Sequence, residues 1–338
     1  MKRFIYLAYY FNRMDWPLLH RYFSYVAKKE STNRFVLWVQ MVVHSLRYNI
    51  SLLEYFQFGF YHKDRKDKLK WAGTGFMYEY QQMMNPRKSR HILENKIHFL
   101  NHYRSFVNRN FASLDSLKNE SRPIAPLLNN VSGKIVLKKS NGQVGRQVEV
   151  VPTEALNREL LIGKMEEKGY DLVEEYIVQH PGLMELSPAG VNTLRIITQV
   201  NQQNVVHYLG ARLRISVNSA VDNLGAGNLA APVNLKTGLV NAPAVYSDIT
   251  MQEVEYHPVT EIRIVGFQIP FWKEVLSLAE SLALLYPQNR SVGWDIAITA
   301  SGPEIIEGNH NWCKLLWQLP VKKGLKPVLE QQLSSSML

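Results

Sequence analysis

Near the end of this chain, two β-rich runs, Val292–Thr299 and Glu304–Gly308, are separated only by Ala300-Ser301-Gly302-Pro303. So tight a turn makes them an antiparallel hairpin. Side chains alternate faces along a strand, so Glu307 and Asn309 project to one side. Folding about the turn brings Asp295 within about one residue of a position opposite Glu307. Facing carboxylates destabilise a sheet. A bound divalent cation reverses that penalty, and oxygen-only donors favour Mg²⁺ or Mn²⁺ over zinc. The plain alternative is a solvated outer face with ordinary surface carboxylates. Trp294, Ile296 and Ile298 on the opposite face argue instead for a strand packed on a core.

A second hairpin is predicted from Gly133–Leu137 and Gln147–Val151, joined by a loop from Lys138 to Arg146. Gly142 and Gly145 let that loop fold tightly and offer backbone N–H groups to phosphate oxygens, while Lys138 adds a point charge. The loop has neither the P-loop nor the Rossmann glycine order, so alone it reads as a plain hairpin loop. Thr153–Lys168 reads as a helix capped by Thr153 and stopped by Gly169. Strands are expected at Asp171–Val178, Thr193–Val200, Val205–Arg214 and Ile262–Val265, and a helix from Pro270 to Leu285. Upstream, Pro17 to Tyr61 and Ser89 to Asn110 carry helical periodicity, with a solvated basic run at Lys63–Lys70 between them. Helices mixed with largely antiparallel strands give an α+β fold class.

Taken together and in this order, the segments from about residue 94 to 310 resemble an ATP-grasp enzyme. Ile135-Val136-Leu137-Lys138 with Ser140, Gly142 and Gly145 is similar to the loop that closes over nucleotide phosphates. Val173-Glu174-Glu175-Tyr176-Ile177 resembles the hinge strand, where Glu175, Tyr176 and Ile177 would meet adenine. Gln179 stands where many members carry an acid for the ribose hydroxyls. Lys96 occupies the place of the first nucleotide lysine, with Asn95 replacing the usual acid. Arg195, Arg212 and Arg214 lie in segments like the arginine strands that bind phosphate or acyl phosphate. Asn223-Leu224-Gly225-Ala226-Gly227-Asn228 resembles a segment of the glutamate-ligase branch. Asp295, Glu307 and Asn309 match the magnesium triad. Gln179-His180-Pro181, His257-Pro258, Ile269-Pro270-Phe271-Trp272-Lys273 and Gly293-Trp294-Asp295 narrow the likeness to the sugar-transfer-associated, alpha-L-glutamate ligase-like branch.

The resemblance implies an ATP-grasp fold, two α+β lobes holding ATP between them, behind a mainly helical N-terminal domain. Expected boundaries are 1–110 for the basic helical domain, 111–178 for the small lobe and 179–338 for the large lobe. It implies ATP with Mg²⁺ or Mn²⁺ as cofactors. The implied reaction is carboxylate–amine ligation through an acyl phosphate, with Arg195 and Arg214 as catalytic residues. The expected product is an amide on a sugar acid or amino-acid derivative in surface-polysaccharide synthesis. An amino-acid or peptide ligase, and a non-catalytic nucleotide-binding interaction protein, stay open as alternatives. Cys313 reads as a small buried hydrophobe, and His180, His257 and His310 as structural residues or substrate contacts rather than bases.

Composition adds an asymmetry. Residues 1–110 carry 19 Lys and Arg against 7 Asp and Glu, whereas the whole chain holds 39 against 29. The nucleotide residues lie almost wholly outside this basic third. Its charge therefore points to a second substrate, such as a nucleotide-linked or lipid-linked sugar, or to peripheral membrane contact through aromatics such as Trp16 and Trp38. Nucleic acid is disfavoured because no recognised binding module accompanies the charge. The N-terminal apolar run is too short and too tyrosine-rich for a cleaved signal, and no stretch suits a membrane span. A single cysteine fits a reducing, cytoplasmic location, with the inner membrane face kept in view.

Overall fold

The computed structural model describes residues 2–142, 148–219 and 222–335. Helices come first: α1 (Lys2–Asn12), α2 (Trp16–Lys29), α3 (Arg34–Tyr48), α4 (Leu52–Gln57), α5 (Arg65–Leu69), α6 (Thr74–Met84), α7 (Arg87–Glu94) and α8 (Lys96–His102). Their starts are written locally. Asp15 accepts from the Leu18 amide to open α2, Asn33 does the same for α3, and Ser51 with Glu54 forms a capping box on α4. The basic run at 63–70 is not a bare solvated segment, since it contains α5 behind its cap Asp64.

The strands are β1 (Phe111–Ser113), β2 (Lys134–Lys138), β3 (Val148–Pro152), β4 (Leu172–Glu175), β5 (Thr193–Val200), β6 (Val206–Ile215), β7 (Leu229–Val233), β8 (Ser291–Thr299) and β9 (Gly302–Asn309). They form two antiparallel sheets, in the orders β1-β4-β2-β3 and β7-β6-β5-β8-β9. The α+β class and both hairpins are as expected. Four local expectations are corrected. The helix after β3 is Arg158–Lys168 and its cap is Asn157, not Thr153, although Gly169 does end it in the left-handed region. Ile262–Val265 is not a strand; Arg263 makes an isolated bridge to Tyr256. Strand β7 and helix α6 were absent from the sequence reading.

Apolar cores divide along the same lines. Leu19, Tyr22, Val26, Leu37, Met41 and Tyr55 pack α2, α3 and α4 together. Met77, Tyr80 and Met84 of α6 instead join Ile197, Trp312 and Trp317 on one side of the five-stranded sheet. Ile92, Phe99 and Leu100 of α7 and α8 pack with Leu194, Trp294 and the helix Trp272–Leu285 on the other. Glu54, almost wholly buried, accepts from the Thr74 amide and hydroxyl and pairs with Lys314 at 2.8 Å, fastening α4 to the C-terminal region. Among the described residues, no helix is long and apolar enough to cross a membrane.

Candidate active site

Strand register creates the site. Arg212 on β6 lies opposite Arg195 on β5, Arg195 opposite Asp295 on β8, and Asp295 opposite Glu307 on β9. Directly opposed residues share a face, so four charges form one row across four strands, two cations then two anions. Asn309, two residues past Glu307, lies opposite Gly293. The carboxylate repulsion expected between Asp295 and Glu307 is therefore offset within the protein itself. Arg195 grips both oxygens of Asp295, with Nη2 at 2.7 Å from Oδ2. Arg214 adds a bond at 2.9 Å to the same oxygen and reaches Asp222 at 2.7 Å. Gly293 makes room for this clamp, because a Cβ there would come within 2.9 Å of the Arg195 Cδ and 2.7 Å of the Trp312 Cβ.

Electrostatics follow from that packing. Burial would raise the Asp295 pKa, but Arg195 and Arg214 hold it below the ordinary carboxylate value. Burial opposes the Arg214 charge, yet Asp222 and Asp295 hold it protonated more firmly than usual. Asp222 moves the other way, raised by burial despite Arg214. Its second oxygen accepts from the Thr193 amide at 2.8 Å and from the Thr193 hydroxyl.

Above this row lies a cavity of about 660 Å³. Lys96, Lys138 and Gly142 line it from one side, and Arg214, Asp222, Asn223, Asp295, Glu307, Asn309 and His310 from the other. Lys96 donates to the Gly142 carbonyl and stands 3.8 Å from Glu307. Lys138 pairs with Glu174 at 2.9 Å, and burial lowers its pKa. Glu307 and Asn309 supply oxygen donors on the cavity side, and Asp295 lies beside them. That donor set fits Mg²⁺ or Mn²⁺. The fit rests on Glu307 and Asn309, since both Asp295 oxygens already accept from guanidinium groups.

A second cavity, of about 250 Å³, is lined by Glu175, Tyr176 and Ile177 together with Arg109, Thr299 and Glu304. Between the two cavities lies a buried ion cluster. Arg109 bonds Glu174 of the first sheet and Glu304 of the second, both at 2.7 Å, and Lys138 completes it. Burial would raise Glu174, but Arg109 and Lys138 hold it down at about 2.

Several residues singled out from sequence lie elsewhere. Arg212 is buried and donates to the Trp317 carbonyl, with its pKa lowered to about 10 by burial, so it is a structural residue rather than a nucleotide contact. Ser140 is committed to Asp171 through its amide and hydroxyl, which shapes the loop from behind. Gln179 uses its amide on Asn192 and Gly190 and lines neither cavity. The Glu174 side chain is consumed by the ion cluster. Arg195 reaches the site only through Asp295, which makes it a positioning residue. Gly145 lies outside the described residues. Cys313 is exposed, not buried. His180 caps the helix Pro181–Leu186 and His257 bonds Ser216, whereas His310 does line the main cavity. Asp222 and Arg109 were missed. An acid directly before Asn223 was the available signal for the first; the second had none, because its partners lie 65 and 195 positions away.

The chain matches the family model described as sugar-transfer associated ATP-grasp over residues 76–333. No curated protein is significantly similar to it in sequence. Among solved structures, it is similar to D-cycloserine synthetase DcsG at 9% identity, with 78% of each chain covered and a TM-score of 0.44. D-alanine–D-alanine ligase from Bacillus anthracis is similar at 12% identity, over 80% of this chain and 77% of that one, with a TM-score of 0.43. The N5-carboxyaminoimidazole ribonucleotide synthetase purK, as its ADP complex, is similar at 11% identity with a TM-score of 0.40. There the match takes in 64% of this chain and 45% of the other, so this chain spans less than half of that protein.

Proposed function

The chain belongs to the sugar-transfer-associated ATP-grasp family, and from that premise we propose that it is an ATP-dependent carboxylate–amine ligase. The observation that carries this reading is the single cavity where Lys96, Lys138 and Arg214 meet Asp295, Glu307 and Asn309, drawn from both sheets. Phosphoryl transfer asks a protein mainly for positioning and charge neutralisation, and this cavity offers both. Lys96 and Lys138 would hold nucleotide phosphates, and Arg214, fixed between Asp222 and Asp295, would face the charge that develops on the transferred group. Magnesium, when bound by Glu307 and Asn309, would neutralise the phosphate oxygens.

In the proposed sequence a substrate carboxylate takes the terminal phosphoryl group of ATP, releasing ADP, and an amine then displaces phosphate to form the amide. Burial, with Arg90 nearby, lowers the His310 pKa. The sequence reads His310 as a structural residue or substrate contact; lining the cavity, its imidazole would also be able to take the proton that the amine loses. The family's description names an association with sugar transfer, and on that ground we take a sugar acid as one partner and surface-polysaccharide synthesis as the setting. The test is ADP release across uronic-acid and amine pairs, with the products identified by mass. Amides of sugar acids are expected. Peptide products alone would remove the sugar assignment, and no ADP release with any pair would remove the ligase reading.

A further inference from the structure

The N-terminal helices bury one apolar side and expose another. On α3, Leu37, Met41 and Ser45 face inward, a spacing of four that fixes the buried stripe. A helix bathed in water carries polar residues on the opposite side. Here that side carries Phe35, Val39 and Val43, with Trp38 on its flank, and Phe35 is 74% exposed. Helix α1, packed on α3, repeats the arrangement. Its Tyr10 is buried while Phe4, Ile5 and Tyr9 are exposed, Phe4 at 67%. Arg3 fastens the start of α1 to the end of α3 by donating to the Leu46 and Arg47 carbonyls. So many large apolar side chains exposed on two packed helices mark a docking face rather than scattered exposure.

Charge selects the occupant. Neither helix contains an aspartate or glutamate, and exposed Arg13, Arg34 and Arg47 stand at their ends. Glu79 accepts from Tyr6 at the edge of α1, but the charges on the two helices themselves are all basic, so a second copy of the chain would bring like-charged faces together, which is unfavourable. An anionic lipid surface supplies both an apolar interior and phosphates at its rim. At 1.5 Å per residue α3 is about 22 Å long, short of the roughly 30 Å of hydrocarbon, so it can lie in the interface but not span it. None of Lys63, Lys66, Lys68 and Lys70 lines the main cavity, to which the basic third gives Lys96, so most of its charge is left for another role.

We propose that the outward face of α1 and α3 docks the protein on an anionic bilayer surface. The aromatic and aliphatic side chains enter the headgroup boundary while the arginines meet lipid phosphates. This stands apart from the ligase reading, since none of these residues touches the cavity.

The test is co-sedimentation of the full chain with vesicles of phosphatidylcholine alone or with added phosphatidylglycerol. Binding to the anionic vesicles at least tenfold tighter is expected. The double variant Phe35→Ser with Val39→Ser should lose at least tenfold of that binding, with the unfolding midpoint unchanged because both side chains are exposed. Phe4→Ser with Ile5→Ser gives an independent second measurement on α1 and should behave alike. Equal binding to both vesicle types, or full binding by both variants, overturns the proposal. Lipid-free self-association that the α3 variant abolishes also overturns it, in favour of a second copy.

Discussion

Among the described residues, two buried ion clusters have the same balance of charge. Arg109 and Lys138 with Glu174 and Glu304 form one; Arg195 and Arg214 with Asp222 and Asp295 form the other. Each sets two cations against two anions in a nearly dry setting, yet they are built for different ends. The first joins the two sheets and reaches the main cavity only through Lys138. The second lies along one sheet, exposes Arg214, Asp222 and Asp295 to the cavity, and has Glu307 and Asn309 beside it. Access to the main cavity, not charge balance, separates the strut from the proposed reaction centre.

The sharpest way to break that distinction is Arg109→Leu. It strands Glu174 and Glu304 as buried carboxylates, with only Lys138 left to pair with the first. A loss of about 3–5 kcal/mol is expected, read by urea unfolding. A loss below about 1 kcal/mol would mean that the strut bears no stress. In the open cluster, Gly293→Ala pushes a methyl against Arg195 and Trp312. About 1–3 kcal/mol of stability should go, together with a fall in ADP release, because the Arg195 clamp on Asp295 is displaced. Unchanged ADP release would show that the clamp does not matter to turnover.

Acid separates the clusters more gently. Glu174 has its pKa lowered from 4.5 to about 2, so its contribution is complete above about pH 4.5 and is lost as pH falls through about 2. In the open cluster the lowered Asp295 acts in that same sense, but the raised Asp222 acts against it. Glu174→Gln should therefore flatten the stability loss between pH 4.5 and 2 more than Asp222→Asn does. An equal effect of the two in acid unfolding would erase the distinction.

What could be read in the sequence tracks how local each signal is. Thr193–Val200 was legible as a short apolar, β-branched run, and the Asp295–Glu307 pairing because two β-rich runs joined by a tight turn, two residues long in the structure, fix a hairpin without outside help. Strand β7 was hidden because Leu229-Ala230-Ala231-Pro232-Val233 has weak strand propensity and owes its state to pairing with β6. Arg212 and Arg214 share a strand face and look alike in sequence. Only the Trp317 carbonyl, more than a hundred residues away, turns the first aside. Asp295 was read as a metal ligand facing a bare carboxylate, and the two arginines that cover it come from other strands. Thr153 lost its capping role because the chain continues as a turn to Asn157 before the helix begins.

Within the proposed reaction centre, Glu307 is the most discriminating member of the open row. Its side chain is 31% exposed, and among the described residues its cationic partner, Lys96, stands 3.8 Å away, so stability depends on it little. The direct measurement is ADP release by Glu307→Gln with a carboxylate–amine pair that the unaltered protein turns over, alongside its unfolding midpoint. A fall of about a hundredfold or more in turnover is expected, with the midpoint unchanged. Turnover within about twofold of the unaltered protein, in a normally folded variant, would contradict that role.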